Sequence, residues 1–248
     1  MASLQTEGLV KRYGALLVTD DVALDVRSGE LHALIGPNGA GKTTLINQLS
    51  GELRPNGGRI RFDGQDVTTA PIHRRARSGL LRSYQITSIF EEFTVLENAA
   101  LSALGARRHV WAFWQPMLAD ARACAAAQDA VEAAGLTALG DTVAGELAYG
   151  QRRQLELAMV LAAEPKFLLL DEPMAGMSVQ ESAAVTALLQ GLKRRYTILL
   201  VEHDMNAVFA LADRISVLVY GRVIFTGTPD EIRAHPEVRA VYLGEETV

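Results

Sequence analysis

Cysteine is nearly absent: Cys124 is the only one in 248 residues. A disulfide framework is therefore excluded, which suits a reducing compartment, and Cys124 itself lies in an Ala-rich stretch where a small buried or half-buried thiol is expected. No uninterrupted apolar run approaches the ~18 residues that a membrane-spanning helix requires. No charged-then-apolar leader opens the chain either, so the expectation is a chain that is soluble or peripheral to something else. Charge of one sign is not in excess: 24 Lys and Arg against 29 Asp and Glu leave a formal net charge of −5. This excludes a polybasic membrane anchor and argues against a nucleic-acid footprint. The short clusters Arg74-Arg75-Ala76-Arg77 and Lys193-Arg194-Arg195 are expected to be solvated faces. Internal repeats, low-complexity linkers and sustained heptads are also missing.

What remains is a chain with 49% hydrophobic residues, long enough for one α/β domain with appended lobes. Its most specific feature is Gly36-Pro37-Asn38-Gly39-Ala40-Gly41-Lys42-Thr43, which fits the phosphate-loop template G-x-x-x-x-G-K-[ST]. An apolar run, Leu31 to Ile35, precedes it and a helical pattern, Thr44 to Leu49, follows. In that context the glycines let backbone N–H groups turn inward around phosphates, Lys42 reaches the β and γ phosphates, and the Thr43 hydroxyl can ligate Mg²⁺. The helix N-terminus aims its positive end at the same anion.

Leu4 to Val10, Ala15 to Asp25 and Glu30 to Ile35 read as short strands broken by Arg12-Tyr13-Gly14 and Ser28-Gly29. A turn at Arg54-Pro55-Asn56-Gly57-Gly58 leads into Arg59 to Phe62, so antiparallel β structure is expected around the phosphate loop. From about Thr94 to Ala163 the windows become long, Ala- and Leu-rich and helical. Phe167 to Leu170, Thr197 to Val201 and Ile215 to Val219 then alternate with helical segments, as buried parallel strands do.

The run Phe167-Leu168-Leu169-Leu170 ends in Asp171-Glu172. Parallel strands present their carboxyl ends to ligands, so Asp171 fits a Mg²⁺-holding role and Glu172 a general base that orients water for attack on a γ phosphate.

Leu147-Ala148-Tyr149-Gly150-Gln151, followed by a helical run, lies a short way before that acid-ended strand. Here the chain resembles the ATP-binding cassette (ABC) family, whose signature loop is usually Leu-Ser-Gly-Gly-Gln; the usual Ser is Ala148 and the first Gly is Tyr149. Other positions match in the family's order. Tyr13 resembles the adenine-stacking aromatic. Gln85, in Leu81-Arg82-Ser83-Tyr84-Gln85, resembles the glutamine that links Mg²⁺ and the attacking water to the helical lobe. His203, in Val201-Glu202-His203-Asp204, resembles the switch histidine at the γ phosphate. Met174-Ala175-Gly176-Met177-Ser178 stands where many relatives carry Ser-Ala-Leu-Asp, with Ser178 in place of the aspartate.

The resemblance implies the ABC ATPase fold: an α/β P-loop NTPase core with an antiparallel β subdomain and a helical subdomain. It implies one domain over 1–248, with the core at 1–93 and 164–248, the helical subdomain at 94–163 and a tail at 228–248. It implies an ATPase that binds ATP and Mg²⁺ through Tyr13 and Gly36 to Thr44, with Thr43, Gln85 and Asp171 at the metal and Glu172, Gln85 and His203 in catalysis. Ala148, Tyr149, Gly150 and Gln151 act in trans, in a head-to-tail dimer with a second ATP-binding subunit, related or identical.

Ala148 to Gln151, Val201 to Met205 and the tail Val241-Tyr242-Leu243-Gly244-Glu245 are similar to the larger ATPase subunit of bacterial branched-chain amino acid importers. Relatives of that subfamily move urea, amides or aromatic acids as well. The implied partners are two transmembrane permeases and, indirectly, a periplasmic solute-binding protein, at the cytoplasmic face of the inner membrane, with no nucleic acid. A DNA-associated ABC ATPase head would carry long coiled coils between phosphate loop and signature, and here that interval is short.

Overall fold

Leu4, Thr6 and Leu9 point inward while Gln5 and Glu7 are exposed, which makes β1 (Leu4–Tyr13) a strand with one buried face. In the computed structural model, which describes residues 1–83, 89–106 and 120–240, β1 pairs antiparallel with β2 (Leu16–Val26) and with β4 (Gly57–Phe62). The short β5 (Gln65–Asp66) completes a sheet of order β2-β1-β4-β5.

The second sheet contains β3 (Leu31–Ile35), β7 (Phe167–Asp171) and β8 (Thr197–Val201), each buried at every residue. Strands covered on both faces need continuous apolar runs rather than alternation. These three are parallel and in step: Leu34 pairs with Val201, and Val201 with Asp171. β9 (Arg214–Val219) lies parallel to the other side of β3, and β10 (Arg222–Gly227) pairs antiparallel with β9. With β6 (Leu80–Ser83) the order is β10-β9-β3-β8-β7-β6.

The chain divides into two compact units. The first comprises Met1–Leu80, Lys166–Glu172 and Lys193–Val248. Its core joins Leu9, Val22 and Ile60 of the antiparallel sheet to Leu34 and Leu199 of the parallel one, with Leu45, Ile46 and Leu49 of α1 (Lys42–Ser50) between them. Phe62 and Phe167 meet edge to face, 6.1 Å between centroids. The second unit, Leu81–Pro165 and Pro173–Leu192, holds α3 (Val95–Ala106), α4 (Ala121–Ala133), α5 (Tyr149–Ala162) and α6 (Val179–Leu192). α3, α4 and α5 pack on one another through small residues: Ala99 and Ala103, Ala123 and Ala127, Ala158 and Ala162 are all buried. Asp120 caps α4, accepting from the N–H groups of Arg122 and Ala123, both at 3.0 Å. Cys124 is half-buried.

Two basic residues depart from the expected solvated faces: Lys193 is half-buried with its Nζ 2.9 Å from Asp213 Oδ1, and Arg75 is buried. On α2 (Ile72–Ser78), Arg74 and Arg77 are exposed, but Arg75 is only 2% exposed. Its guanidinium donates to the carbonyls of Gln48 and Leu49 (both 2.7 Å), Thr68 (3.0 Å) and Ala70 (3.0 Å). Two of these carbonyls belong to the last turn of α1, where the helix cannot pair them itself. Burial draws the Arg75 pKa down to about 10, with the Asp66 charge acting the other way. The group stays charged at neutral pH.

Replacing Arg75 with Met leaves those carbonyls buried without their donor, each worth about 1 kcal/mol or more. The expected loss is about 2–4 kcal/mol by urea denaturation. An unchanged midpoint would show that the carbonyls find other partners.

Candidate nucleotide site

The backbone leaves β3 at Ile35 and must turn at once, because strands β9 and β2 crowd the exit. A Cβ on Gly36 would sit 2.1 Å from the Leu218 carbonyl oxygen, and one on Gly41 would sit 2.6 Å from that of Val18. Gly41 also has φ 103°, a left-handed conformation that side chains disfavour. The Gly221 N–H donates to the Ala40 carbonyl at 2.9 Å, and Ala40 N–H to that of Pro37 at 3.2 Å. The loop is thus held from β3 to the start of α1 by backbone contacts. Asn38, Gly39 and Thr43 are exposed, and Thr44 is half-buried.

Gly41 is the N-cap of α1, and no side chain caps this helix start. Its first N–H groups and the positive end of its dipole therefore suit an anion. Lys42, only 8% exposed, donates from Nζ to the Gly36 carbonyl (2.6 Å) and the Pro37 carbonyl (3.1 Å). Burial lowers its pKa, while the charges of Glu172 and Asp171 pull the other way. The phosphate-loop lysine and both strand-end acids therefore share one electrostatic environment. Tyr13 stands exposed at the end of β1, with Lys11 Nζ 5.3 Å from its ring centroid.

Asp171 is the last residue of β7 and is buried. Glu172 follows with φ 48°, unusual for a residue with a side chain, and its N–H donates to the Val201 carbonyl at 2.9 Å. At the end of the neighbouring β8 comes Glu202, 1% exposed, whose Oε2 accepts from the His203 N–H at 3.1 Å and lies 3.8 Å from His203 Nδ1. His203 is exposed, and Asp204 caps α7 (Met205–Leu211) directly after it. Glu202 was not among the expected site residues. It carries the same signal as Glu172: an acid directly after a buried apolar strand.

Tyr13, Gly36 to Thr44, Asp171, Glu172 and His203 all belong to the first unit, and Ala148 to Gln151 belong to the second. Gln85 and the tail from Val241 lie outside the described residues. In the second unit Ala148 is the N-cap of α5, and Gln151 Oε1 accepts from its N–H at 3.0 Å. Tyr149 is half exposed; its hydroxyl donates to the Ala175 carbonyl at 3.2 Å and accepts from Arg153 Nη2 at 3.2 Å. The Gly150 N–H donates to Glu181 Oε1 at 3.1 Å. Ser178 donates from its N–H and its hydroxyl to Glu181 Oε2, at 2.9 and 2.7 Å. These hydrogen bonds, first from Ser178 and then from Gly150, hold the Glu181 carboxyl below its ordinary range. Glu181 also escaped the sequence reading, although Ser178-x-x-Glu181 has capping-box spacing.

The phosphate loop, the acid-ended strand and the helix-capped signature segment are the parts of a nucleotide-driven ATPase cassette. The family model described as "ABC transporter" matches residues 19–175, and a model described as "Branched-chain amino acid ATP-binding cassette transporter" matches residues 222–248. The chain belongs to the ABC transporter family and is an ATP-binding cassette ATPase. It is 39% identical, over 98% of each chain, to the high-affinity branched-chain amino acid transport ATP-binding protein BraF of Pseudomonas aeruginosa. It is 38% identical, again over 98% of each, to the protein LivG of Escherichia coli K12, which carries the same description. Among solved structures it is similar to the ADP conformation of MJ1267, an ATP-binding cassette of an ABC transporter, with a TM-score of 0.86 and 30% identity over 98% of this chain and 99% of that one.

Two substitutions test the loop. Lys42→Ala is expected to weaken ATP binding at least about tenfold, since a charge-assisted contact is worth about 1.5 kcal/mol or more; unchanged affinity in equilibrium titration argues against the phosphate role. Gly36→Ala must push Leu218 aside, and a lowered melting temperature together with lost nucleotide binding is expected.

Proposed function

We propose that this chain is the ATP-hydrolysing subunit of an importer for branched-chain or other hydrophobic amino acids. The observation that carries the substrate class is the full-length similarity to branched-chain amino acid transport ATPases, supported by the match of residues 222–248 to a model of that name. The partners are a second ATP-binding subunit, two membrane permeases and a solute-binding protein acting through them. The helical subdomain at 94–163 receives the permease's coupling segment. Among the described residues no helix is long and apolar enough to cross a membrane.

ATP lies with its phosphates in the loop from Gly36 to Gly41 and its adenine against Tyr13. Lys42 moves from the Gly36 and Pro37 carbonyls to the β and γ phosphates, a short exchange of acceptors. The donors suited to Mg²⁺ are oxygens, the exposed Thr43 hydroxyl and the Asp171 carboxylate, with Gln85 as the third residue of the set. No group of three or more His, Cys, Asp or Glu able to hold a metal occurs among the described residues. Mg²⁺ is ordinarily held by one or two protein oxygens together with water and substrate phosphates, and these oxygen donors suit that chemistry. When bound, Mg²⁺ neutralises charge across the β and γ phosphates.

Glu172 acts as the base, orienting water in line with the γ phosphate; its backbone, tied to Val201, fixes where the carboxylate starts. His203 stands at the γ phosphate, its main chain held by buried Glu202. The loose phosphoryl transition state needs positioning and charge more than covalent chemistry, and these residues supply both. The Gly150 N–H and the α5 N-terminus complete the charge around the phosphate held by the second subunit.

In Glu172→Gln, hydrolysis is expected to fall by at least about a hundredfold while ATP binding persists, and ATP is expected to drive dimerisation detectable by light scattering. A variant that stays monomeric at saturating ATP, alone and with the related ATPase, overturns the composite site. Near-normal turnover in the assembled transporter overturns the base assignment. A deletion strain that loses uptake of Leu, Ile and Val supports the substrate class; retained uptake of all three, with loss of urea, amide or aromatic acid uptake, assigns the chain to that alternative instead.

A further inference from the structure

We infer that Glu181 is a built-in competitor for the phosphate at the start of α5, and that its release sets the nucleotide level at which two cassettes close. The inference rests on the composite-site reading, in which Gly150 meets the phosphate carried by the second subunit.

Glu181 sits in the first turn of α6 and serves two segments with one carboxylate. Oε2 takes the N–H and the hydroxyl of Ser178, and the Ser178 hydroxyl in turn accepts from the Glu181 N–H at 3.3 Å. This reciprocal capping box uses one oxygen. The other, Oε1, reaches a residue 31 positions earlier, the Gly150 N–H at 3.1 Å. The fit is close: a Cβ on Gly150 would lie 2.6 Å from Oε1 and 2.9 Å from the Glu181 Cγ. The carboxylate occupies the space that a phosphate oxygen needs if it is to reach that N–H.

Carboxylate and phosphate are both acceptors and both negative. One N–H does not serve the two fully, and a charge left beside Gly150 repels the incoming phosphate. Closure therefore requires Glu181 to let go of Gly150 while keeping its hold on Ser178. The side chain is long and on the surface, so the swing is available, and its energetic effect is modest. Tyr149 adds a second strut between the same segments through its hydroxyl on the Ala175 carbonyl. The segments joined in this way contain Tyr149 and Ser178, positions at which the chain departs from the usual motif.

The test uses the full chain carrying Glu172→Gln, in whichever arm the parent dimerises, alone or with the related ATPase. The ATP concentration for half-maximal dimerisation is measured by light scattering with and without Glu181→Gln. A glutamine keeps one carbonyl for the Ser178 cap but has no charge and no second acceptor for Gly150. The expected result is a threshold about three- to tenfold lower, with ATP affinity of the monomer unchanged because the first unit's half-site is untouched. Glu181→Asp is the second variant: it retains an acid for the helix cap, but one methylene shorter it does not span both segments, and its threshold is also expected to fall. If Glu181→Gln fails to fold, the aspartate variant decides alone. A threshold that stays or rises in a folded variant overturns the inference and leaves the composite site standing. A parent that forms no dimer in either arm overturns both.

Discussion

Three buried parallel strands in step set the positions of the phosphate loop, both strand-end acids and His203 in the first unit. Because Leu34, Val201 and Asp171 lie level across the ladder, the residues just past them emerge along one edge of the sheet. Gly36 follows β3, Glu172 follows β7, and Glu202 and His203 follow β8. Each strand is buried at every position, so a slip of one residue has no exposed face to absorb it and would bring polar ends into the core. Register here is enforced by burial, and burial thereby becomes a means of aligning an amine, two acids and an imidazole.

Much of this architecture was legible because it follows from residue type. Runs such as Leu31 to Ile35 and Thr197 to Val201 admit few readings other than buried strands, and the first antiparallel strands are marked off by the turns at Arg12-Tyr13-Gly14 and Ser28-Gly29. The phosphate loop is specified by the need for glycine where carbonyls approach. What the sequence could not display are contacts whose partners are main-chain groups. Arg75 looks like one of a solvated cluster, yet its guanidinium is satisfied by four carbonyls, two from the nearby loop and two from the end of α1, more than 25 residues away. Glu181 looks like a helix-capping acid, and nothing in the identity of Gly150 reveals that its N–H is the second client. Backbone donors and acceptors are the same at every position, so a side chain that recognises them leaves no complementary letter to find. β10 was missed for a related reason: at the sheet edge, partly exposed, it lacks the continuous apolar run that marks β3, β7 and β8.

The second unit uses a different material. Buried alanines let its helix axes approach but bury little area per residue, and larger apolar residues such as Val95, Val131, Leu155 and Leu161 are buried with them. Specific polar ties add to the positioning: Asp120 at the start of α4, Asn98 holding the Phe90 backbone through two hydrogen bonds and donating to the Phe93 and Thr94 carbonyls, and Glu181 between Gly150 and Ser178.

Lys42 is sequestered by the loop it belongs to, its ammonium already out of bulk water and resting on the Gly36 and Pro37 carbonyls. Dehydrating an ammonium is expensive, and here that expense falls on folding rather than on catalysis. In the proposed site an arriving phosphate meets a cation that is already largely buried, so much of the desolvation penalty is met on folding and not once per turnover.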